Sequence, residues 1–369
     1  TWASTSGTID AGEYVQLRLT SSASYSTATV ATLTVGTEDV DWSVTTEADP
    51  TDPTDQFSGN PVLSVGATAT ELDNEGTIKV ASNIATFSIA FPTFVGVGDV
   101  VQYDVDNDTV IEDDEYGIIH GINASRTKAY LLKIGGGNVA DTTTTTAVYD
   151  IFRAYTSLAN WQSGTENTNI DADLHDGVGG DYELTDKDLT DSDDEDGPLY
   201  VACYGDAVDT TPVTISDWTT DSDDYIKIYT PTSNSEVGTT QRHSGVWDTS
   251  KYILSVSNDG ISNDISGGQY TATTTDVRIE GLQIEIAGNW AGIEFYDDYG
   301  SVNFHVSNNI IRNTSVAGRG IYVAWEWSGG ETRIWNNIIY GFSWGMMIDN
   351  GLILHYVYNN TIRDCTTGI

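Results

Sequence analysis

The chain has 369 residues, and 55 acidic against 15 basic side chains give it a formal net charge of −40. A charge of that sign and size repels phosphate backbones and anionic lipid surfaces, which sets aside nucleic-acid and membrane-surface binding. Gly, Thr, Ser and Asp abound, Met is nearly absent, and no run is apolar enough to span a bilayer or keeps helical periodicity over several turns. The composition therefore predicts an all-β protein, with room for a solenoid plus appendages or for two or three domains.

Residues 1–46 read as a small β-sandwich module, with alternating strands at 14–20, 31–35 and 40–44 and Ser/Thr/Gly turns between them. So few strands leave open edges, which predicts a strand supplied by an upstream segment or by another copy. Residues 47–55 are a stiff Pro/Asp linker. A second small β domain comes next, over 56–149, with strands predicted at 77–80, 84–89, 99–103, 116–120 and 129–134.

Between two of those strands lies Asp104-Val-Asp-Asn-Asp-Thr-Val-Ile-Glu-Asp-Asp-Glu115. Asp104, Asp106 and Asp108 hold the first, third and fifth positions of a calcium loop, with Glu112 and Glu115 as further carboxylates. Thr109 stands where that loop has glycine, and the flanks are strands, so a helix-loop-helix site is rejected. Two readings remain: a hairpin loop that collects calcium, or a solvated acidic turn.

A short helix is predicted within 155–161, starting at Thr156 or Ser157 and plugging the N-terminal end of a stack of strands. Those strands accumulate at 199–203, 213–215, 225–229 and 252–256. From residue 277 the segments repeat almost verbatim: Val306-Ser-Asn-Asn-Ile-Ile311, Ile334-Trp-Asn-Asn-Ile-Ile339 and Val357-Tyr-Asn-Asn-Thr-Ile362, with Ile279-Glu-Gly-Leu-Gln-Ile284 as a degenerate copy. The period is 23 to 28 residues, and each copy is succeeded by an apolar run opened by Gly292, Gly320, Gly345 or Gly368. Such a unit cannot bury its apolar face alone. Stacked in register, Ile279, Val306, Ile334 and Val357 form one inward column and Ile284, Ile311, Ile339 and Ile362 another, at ~4.8 Å per step. Asn tolerates the left-handed conformation that a corner between such strands needs, and its side-chain amide can hydrogen-bond to the amide above and below.

On these residues the chain resembles right-handed parallel β-helices of the pectate-lyase-like repeat class. The 14–46 stretch resembles Ig-like repeats of bacterial surface proteins, and 96–103 and 149–161 resemble the module that precedes β-helices in large environmental proteins. The resemblance implies a three-sheet coil over 150–369, its handedness, a ladder of side-chain amides at Asn309, Asn337 and Asn360, and an extracellular setting. A chain that stops two residues into a strand, at Ile369, leads to the expectation of a longer protein or of a second copy covering the last rung, so self-association is expected there or at the N-terminal β edges.

The outward column beside the first apolar one is Arg278, His305, Arg333 and Tyr356, with Glu280, Ser307, Trp335 and Tyr358 beyond it. Arg and exposed rings suit a glycan ligand, and the alternative is a cross-strand stack that stabilises the sheet. Glu280 is the one carboxylate counted there, and no facing carboxylate pair, zinc spacing, nucleophile elbow or phosphate loop is found, so no catalytic residue is assigned. Cys203 and Cys365 are read as two buried thiols, the alternative being one reactive or intermolecular thiol, and Asn107, Asn123, Asn313 and Asn359 as glycosylation sequons of the kind that arise by chance. The leading expectation is an extracellular structural or surface protein: a stalk, adhesin or filament subunit. The alternative is a protein that binds or degrades polysaccharide.

Overall fold

The computed structural model describes residues 28–35, 38–45, 53–55, 57, 60–106, 108, 110–112, 115–134, 136–170, 187–190, 197–264, 276–296, 302–324, 330–349 and 354–369. They are nearly all β, and no helix among them is long and apolar enough to cross a membrane.

Three parallel sheets dominate. The first has seven strands: Val62–Gly66, Leu199–Tyr204, Ile226–Tyr229, Asp276–Glu280, Val302–Ser307, Gly330–Trp335 and Leu354–Tyr358. The second has six: Val208–Asp209, Ile253–Val256, Gln283–Ile286, Ile310–Asn313, Ile338–Tyr340 and Thr361–Arg363. The third has five: Val213–Ile215, Ile261–Asp264, Ala291–Tyr296, Arg319–Ala324 and Trp344–Ile348. From Leu199 onward the chain visits the first, second and third sheets in fixed rotation, and each strand pairs with its counterpart one circuit later.

Both predicted apolar columns are present. Ile279, Val306, Ile334 and Val357 are register partners, and the column extends back through Ile228 and Val201 to Leu63. Ile284, Ile311, Ile339 and Ile362 align likewise, preceded by Leu254. All but the terminal Val357 and Ile362 are fully buried in one core cluster. At about 2 kcal/mol per buried aliphatic side chain, these columns are the main force that holds the circuits together.

The paired asparagines divide their work. Asn308, Asn336 and Asn359 take positive φ of 58°, 57° and 55° at the corner, where Gly281 in the preceding circuit has φ 82°. Asn309, Asn337 and Asn360 point inward: the Asn309 Nδ2 donates to the Asn337 Oδ1 and the Asn337 Nδ2 to the Asn360 Oδ1, both at 3.0 Å, while the Asn360 Nδ2 donates to the Ile334 and Tyr358 carbonyls. The glycines that open the third-sheet strands are explained by close approach rather than by φ. A Cβ on Gly292, Gly320 or Gly345 would lie 2.3 to 2.4 Å from the Cγ2 of Ile311, Ile339 or Ile362, so the isoleucine column of the second sheet leaves no room for a methyl.

The helix is Leu158–Ser163, capped by Ser157, whose Oγ accepts from the Asn160 amide at 2.9 Å. Asp209 also accepts from the Leu158 amide (3.0 Å) and from the Tyr252 hydroxyl (2.9 Å). Leu158 and Trp161 enter the core cluster of the parallel sheets, Trp161 stacking on Trp218 at 5.5 Å.

Six antiparallel strands form a separate sheet in the order Ile78–Ala81, Ile84–Phe87, Lys128–Leu132, Tyr116–Ile122, Val100–Tyr103 and Tyr149–Phe152. A bridge between Ile78 and Ala147 ties its two ends together, so the sheet closes into a small barrel. The predicted strands at 77–80, 84–89, 99–103, 116–120 and 129–134 correspond to five of the six. The sixth, at 149–152, straddles the boundary drawn at 149.

The barrel is not set apart from the parallel sheets. Val62–Gly66 lies in the stretch read as the second β domain, yet it pairs in parallel with Leu199–Tyr204. Leu63 and Val65 face the core of the parallel sheets, and Val62 faces the core of the barrel. One strand therefore serves two cores. Beside it Arg153, fully buried, donates to both carboxylate oxygens of buried Asp99 at 2.7 Å and to Asp206 at 2.7 and 2.8 Å, with its guanidinium 3.7 Å from the centre of the Tyr204 ring. At the N-terminal side, Ala28–Val35 and Glu38–Thr45 form an antiparallel hairpin that contains the predicted strands at 31–35 and 40–44. The predicted strand at 14–20 lies outside the described residues.

Candidate functional site

The first candidate is the loop between Val100–Tyr103 and Tyr116–Ile122. Single carboxylate oxygens of Asp104, Asp106 and Asp108 lie within 4.8 Å of one another, Asp104 buried and the other two exposed. Asp106 accepts from the Asp108 amide at 3.1 Å and Asp108 from the Val110 amide at 2.8 Å, turns that Asp makes readily and that set every second carboxylate on one side. The two glutamates sit differently. Buried Glu115 accepts from the Val105 and Glu112 amides, both at 3.0 Å, so its oxygens brace the loop backbone. Exposed Glu112 is bonded to the Glu115 carboxylate, and this bond, with some desolvation and the charges of Glu115, Asp108 and Asp106, pushes its carboxyl up to about 7. An all-oxygen carboxylate set suits a hard cation such as calcium. Thr109 lies outside the described residues.

The second candidate is the outward face of the first sheet. Register partners place Arg278, His305, Arg333 and Tyr356 in one column and Glu280, Ser307, Trp335 and Tyr358 in the next, as the spacing predicted. The register also places Asp276, Asn303, Glu331 and Leu354 in a third outward column. The count of one carboxylate is thereby corrected: Asp276 and Glu331 stand two residues before Arg278 and Arg333, on the same side of the strand, because side chains two apart share a face.

Most of these groups contact one another. Arg278 donates to Asp276 (3.2 Å) and to the Ser222 carbonyl (3.1 Å), with its guanidinium 3.2 Å from the Tyr225 ring centre. Glu280 is held between Lys227 at 2.8 Å and Arg242 at 2.9 Å; burial raises its pKa, but the two cations outweigh that and hold the carboxyl below its ordinary range. Arg333 pairs with Glu331, and the His305 Nε2 lies 3.6 Å from the same carboxylate. Burial and the charges of Arg278 and Arg333 lower the pKa of His305, which keeps the ring neutral. Burial pushes Asp276 up to about 6 against the pull of Arg278. Trp335 stacks on Tyr358 at 6.0 Å and 11°, and Tyr356 and Tyr358 remain 45% and 47% exposed.

The remaining predicted groups are dispersed. Cys203 is buried, with its thiol pushed up by burial, whereas Cys365 is only partly buried, so the reading of two buried thiols holds for one of them. Asn123 and Asn313 are buried with their amides bonded, Asn359 is exposed, and Asn107 lies outside the described residues. No family model, curated protein or solved structure matches the chain.

Proposed function

We propose that the three parallel sheets are the walls of a right-handed parallel β-helix, and that the protein is an extracellular structural element: a stalk, adhesin or filament subunit. The rotation of strands through three sheets supports the coil, and the strong preference of parallel crossovers for one hand supports the right-handed sense. The observation that carries the structural role is how outward side chains are used. On the first sheet Arg278, Glu280 and Trp335 are engaged with neighbours on the same wall. On the second, Glu285 pairs with Arg312, whose guanidinium lies 3.5 Å from the Trp247 ring centre, and Arg363 covers Tyr340 at 4.2 Å. Such ladders stiffen a wall. Calcium held by Asp104, Asp106 and Asp108, with Glu112 and Glu115 behind them, would neutralise part of the barrel's acidic loop and fix its hairpin.

A second reading, a polysaccharide-binding or polysaccharide-cleaving face on the first sheet, is favoured by the exposed Tyr356 and Tyr358 rings beside half-exposed Arg333. Negative-stain imaging of native material with calcium, and again after chelation, separates the two. The structural role predicts particles joined into fibres or arrays, loosened on chelation. Isolated particles under both conditions, together with retention of a saccharide that Arg333→Ala abolishes, would replace it with the second reading.

A further inference from the structure

His120 lies in the strand Tyr116–Ile122, where the register against Lys128–Leu132 shifts between Ile119 and Gly121. It is the extra residue of a β-bulge, a feature that re-aims a side chain. The ring points at Phe57: its Nδ1 lies 2.8 Å from the Phe57 carbonyl, and the Phe57 amide returns a bond to the His120 carbonyl at 3.3 Å. A carbonyl can only accept, so Nδ1 carries the hydrogen and Nε2 is the bare nitrogen. That Nε2 is buried without a partner, and His120 is fully inaccessible. The Phe57 ring packs 4.5 Å from Tyr200 and 6.2 Å from Tyr229, and the Phe57 carbonyl also accepts from the Asn60 amide at 3.2 Å. His120, Phe57 and Asn60 thus form one hydrogen-bonded contact that fastens Phe57 to the barrel.

We propose that His120 is an acid-sensitive latch: its neutral ring holds Phe57 on the barrel, and a proton taken up at Nε2 releases it. Nε2 has nothing to donate to in the closed contact, so the charged ring is stable only where water reaches it. Titratable groups on the surrounding elements are Lys128 and Tyr130 on one neighbouring strand, Tyr103 on the other with Asp99, paired to Arg153, just before it, Asp55 in the turn Pro53–Asp55, Tyr200 and Tyr229 behind Phe57, and Glu236, which accepts from the Thr232 and Ser233 amides. The pKa of His120 is lowered to about 4 by burial first, opposed only by the Phe57 carbonyl, with no charged side chain contributing. A group whose folded pKa is depressed in this way binds its proton more readily when released. The closed contact is therefore fully favoured above about pH 6.5 and loses stability as pH falls towards 4.

The test is hydrogen exchange on the full chain from pH 7 to 4, corrected for the intrinsic pH dependence of exchange. Protection of the Phe57 and Asn60 amides is expected to fall about tenfold per pH unit below 6.5, on the order of a hundredfold in all, while the Ile228 and Ile279 amides of the parallel sheets stay protected. His120→Asn keeps a donor near the Nδ1 position and cannot titrate, so its Phe57 and Asn60 protection should be flat. Flat protection in the wild type, a parallel fall in the variant, or simultaneous loss at Ile228 and Ile279 would overturn the latch. If the variant does not fold, an NMR titration of the wild-type His120 ring decides: a midpoint well below 6 that coincides with release supports it, and an ordinary midpoint overturns it.

Discussion

Arg153→Met is expected to lower the unfolding free energy at pH 7 by about 3–5 kcal/mol, the cost of leaving one partner of a buried ion pair uncompensated. Arg153 and Asp99 are both fully buried, and Arg153 also holds Asp206 and the Phe94 carbonyl. Burial already pushes the Asp99 carboxyl up to about 6, with Arg153 the largest influence in the other direction. Removing the guanidinium moves that pKa further up. A carboxyl whose folded pKa is raised contributes stability at low pH and loses it as pH rises through the folded value. The variant should therefore recover part of its deficit, relative to wild type, between pH 7 and 5, and Asp99→Asn in the Arg153→Met background should restore part of it at pH 7. Denaturant unfolding at the two pH values measures both effects. A deficit below about 1 kcal/mol, or one of equal size at both pH values, would mean that the cluster does not hold the barrel to the parallel sheets.

The second large effect belongs to Asn337. Its Nδ2 donates to the Val306 carbonyl at 2.9 Å, the Trp335 carbonyl at 3.1 Å and the Asn360 Oδ1 at 3.0 Å, and its Oδ1 accepts from the Asn309 amide and Nδ2, both at 3.0 Å. Asn337→Ala strands several of these groups where water does not reach. At about 1–3 kcal/mol for each buried group left unpaired, and with partial relaxation, a loss of about 3–5 kcal/mol is expected. The neighbouring Asn336 has a different task, holding φ at 57° on an exposed corner, which glycine does as well. Asn336→Gly should cost less than about 1 kcal/mol. Equal losses at the two positions in thermal or denaturant unfolding would contradict this division of labour.

The Asn-Asn repeat is legible in the amino-acid sequence because a stacked fold asks each circuit for the same side chain at the same place. Its period therefore yields both apolar columns directly. The ladder positions Asn309, Asn337 and Asn360 come from the resemblance rather than from the period, since turning the corner and bonding the next amide both suit asparagine. The strand Val62–Gly66 escapes detection because it is buried on both faces and so lacks the alternation that marks a strand, and because its partner, Leu199–Tyr204, lies far along the chain. Arg153 escapes for a related reason: a lone arginine carries no pattern, and its partners Asp99 and Asp206 lie more than 50 residues away on either side. At the outward face Arg278, His305 and Arg333 are found by counting from the apolar column. Asp276 and Glu331 need the register two residues further back. The three-aspartate cluster is legible because alternate carboxylates in a short loop converge whatever the flanking structure.

The architecture depends on successive circuits lying in register, each residue over its counterpart. Arg333 and Tyr356 are partners on adjacent parallel strands, 23 residues apart in sequence and both exposed. In a Cys365→Ser background, Arg333→Cys with Tyr356→Cys places two Cα atoms about 4.8 Å apart, within disulfide range, whereas Arg333→Cys with Tyr358→Cys places them about 8 Å apart, outside it. A stacked coil predicts rapid intramolecular cross-linking of the first pair under mild oxidation and little of the second. Equal cross-linking of the two pairs, or preference for the second, would contradict it.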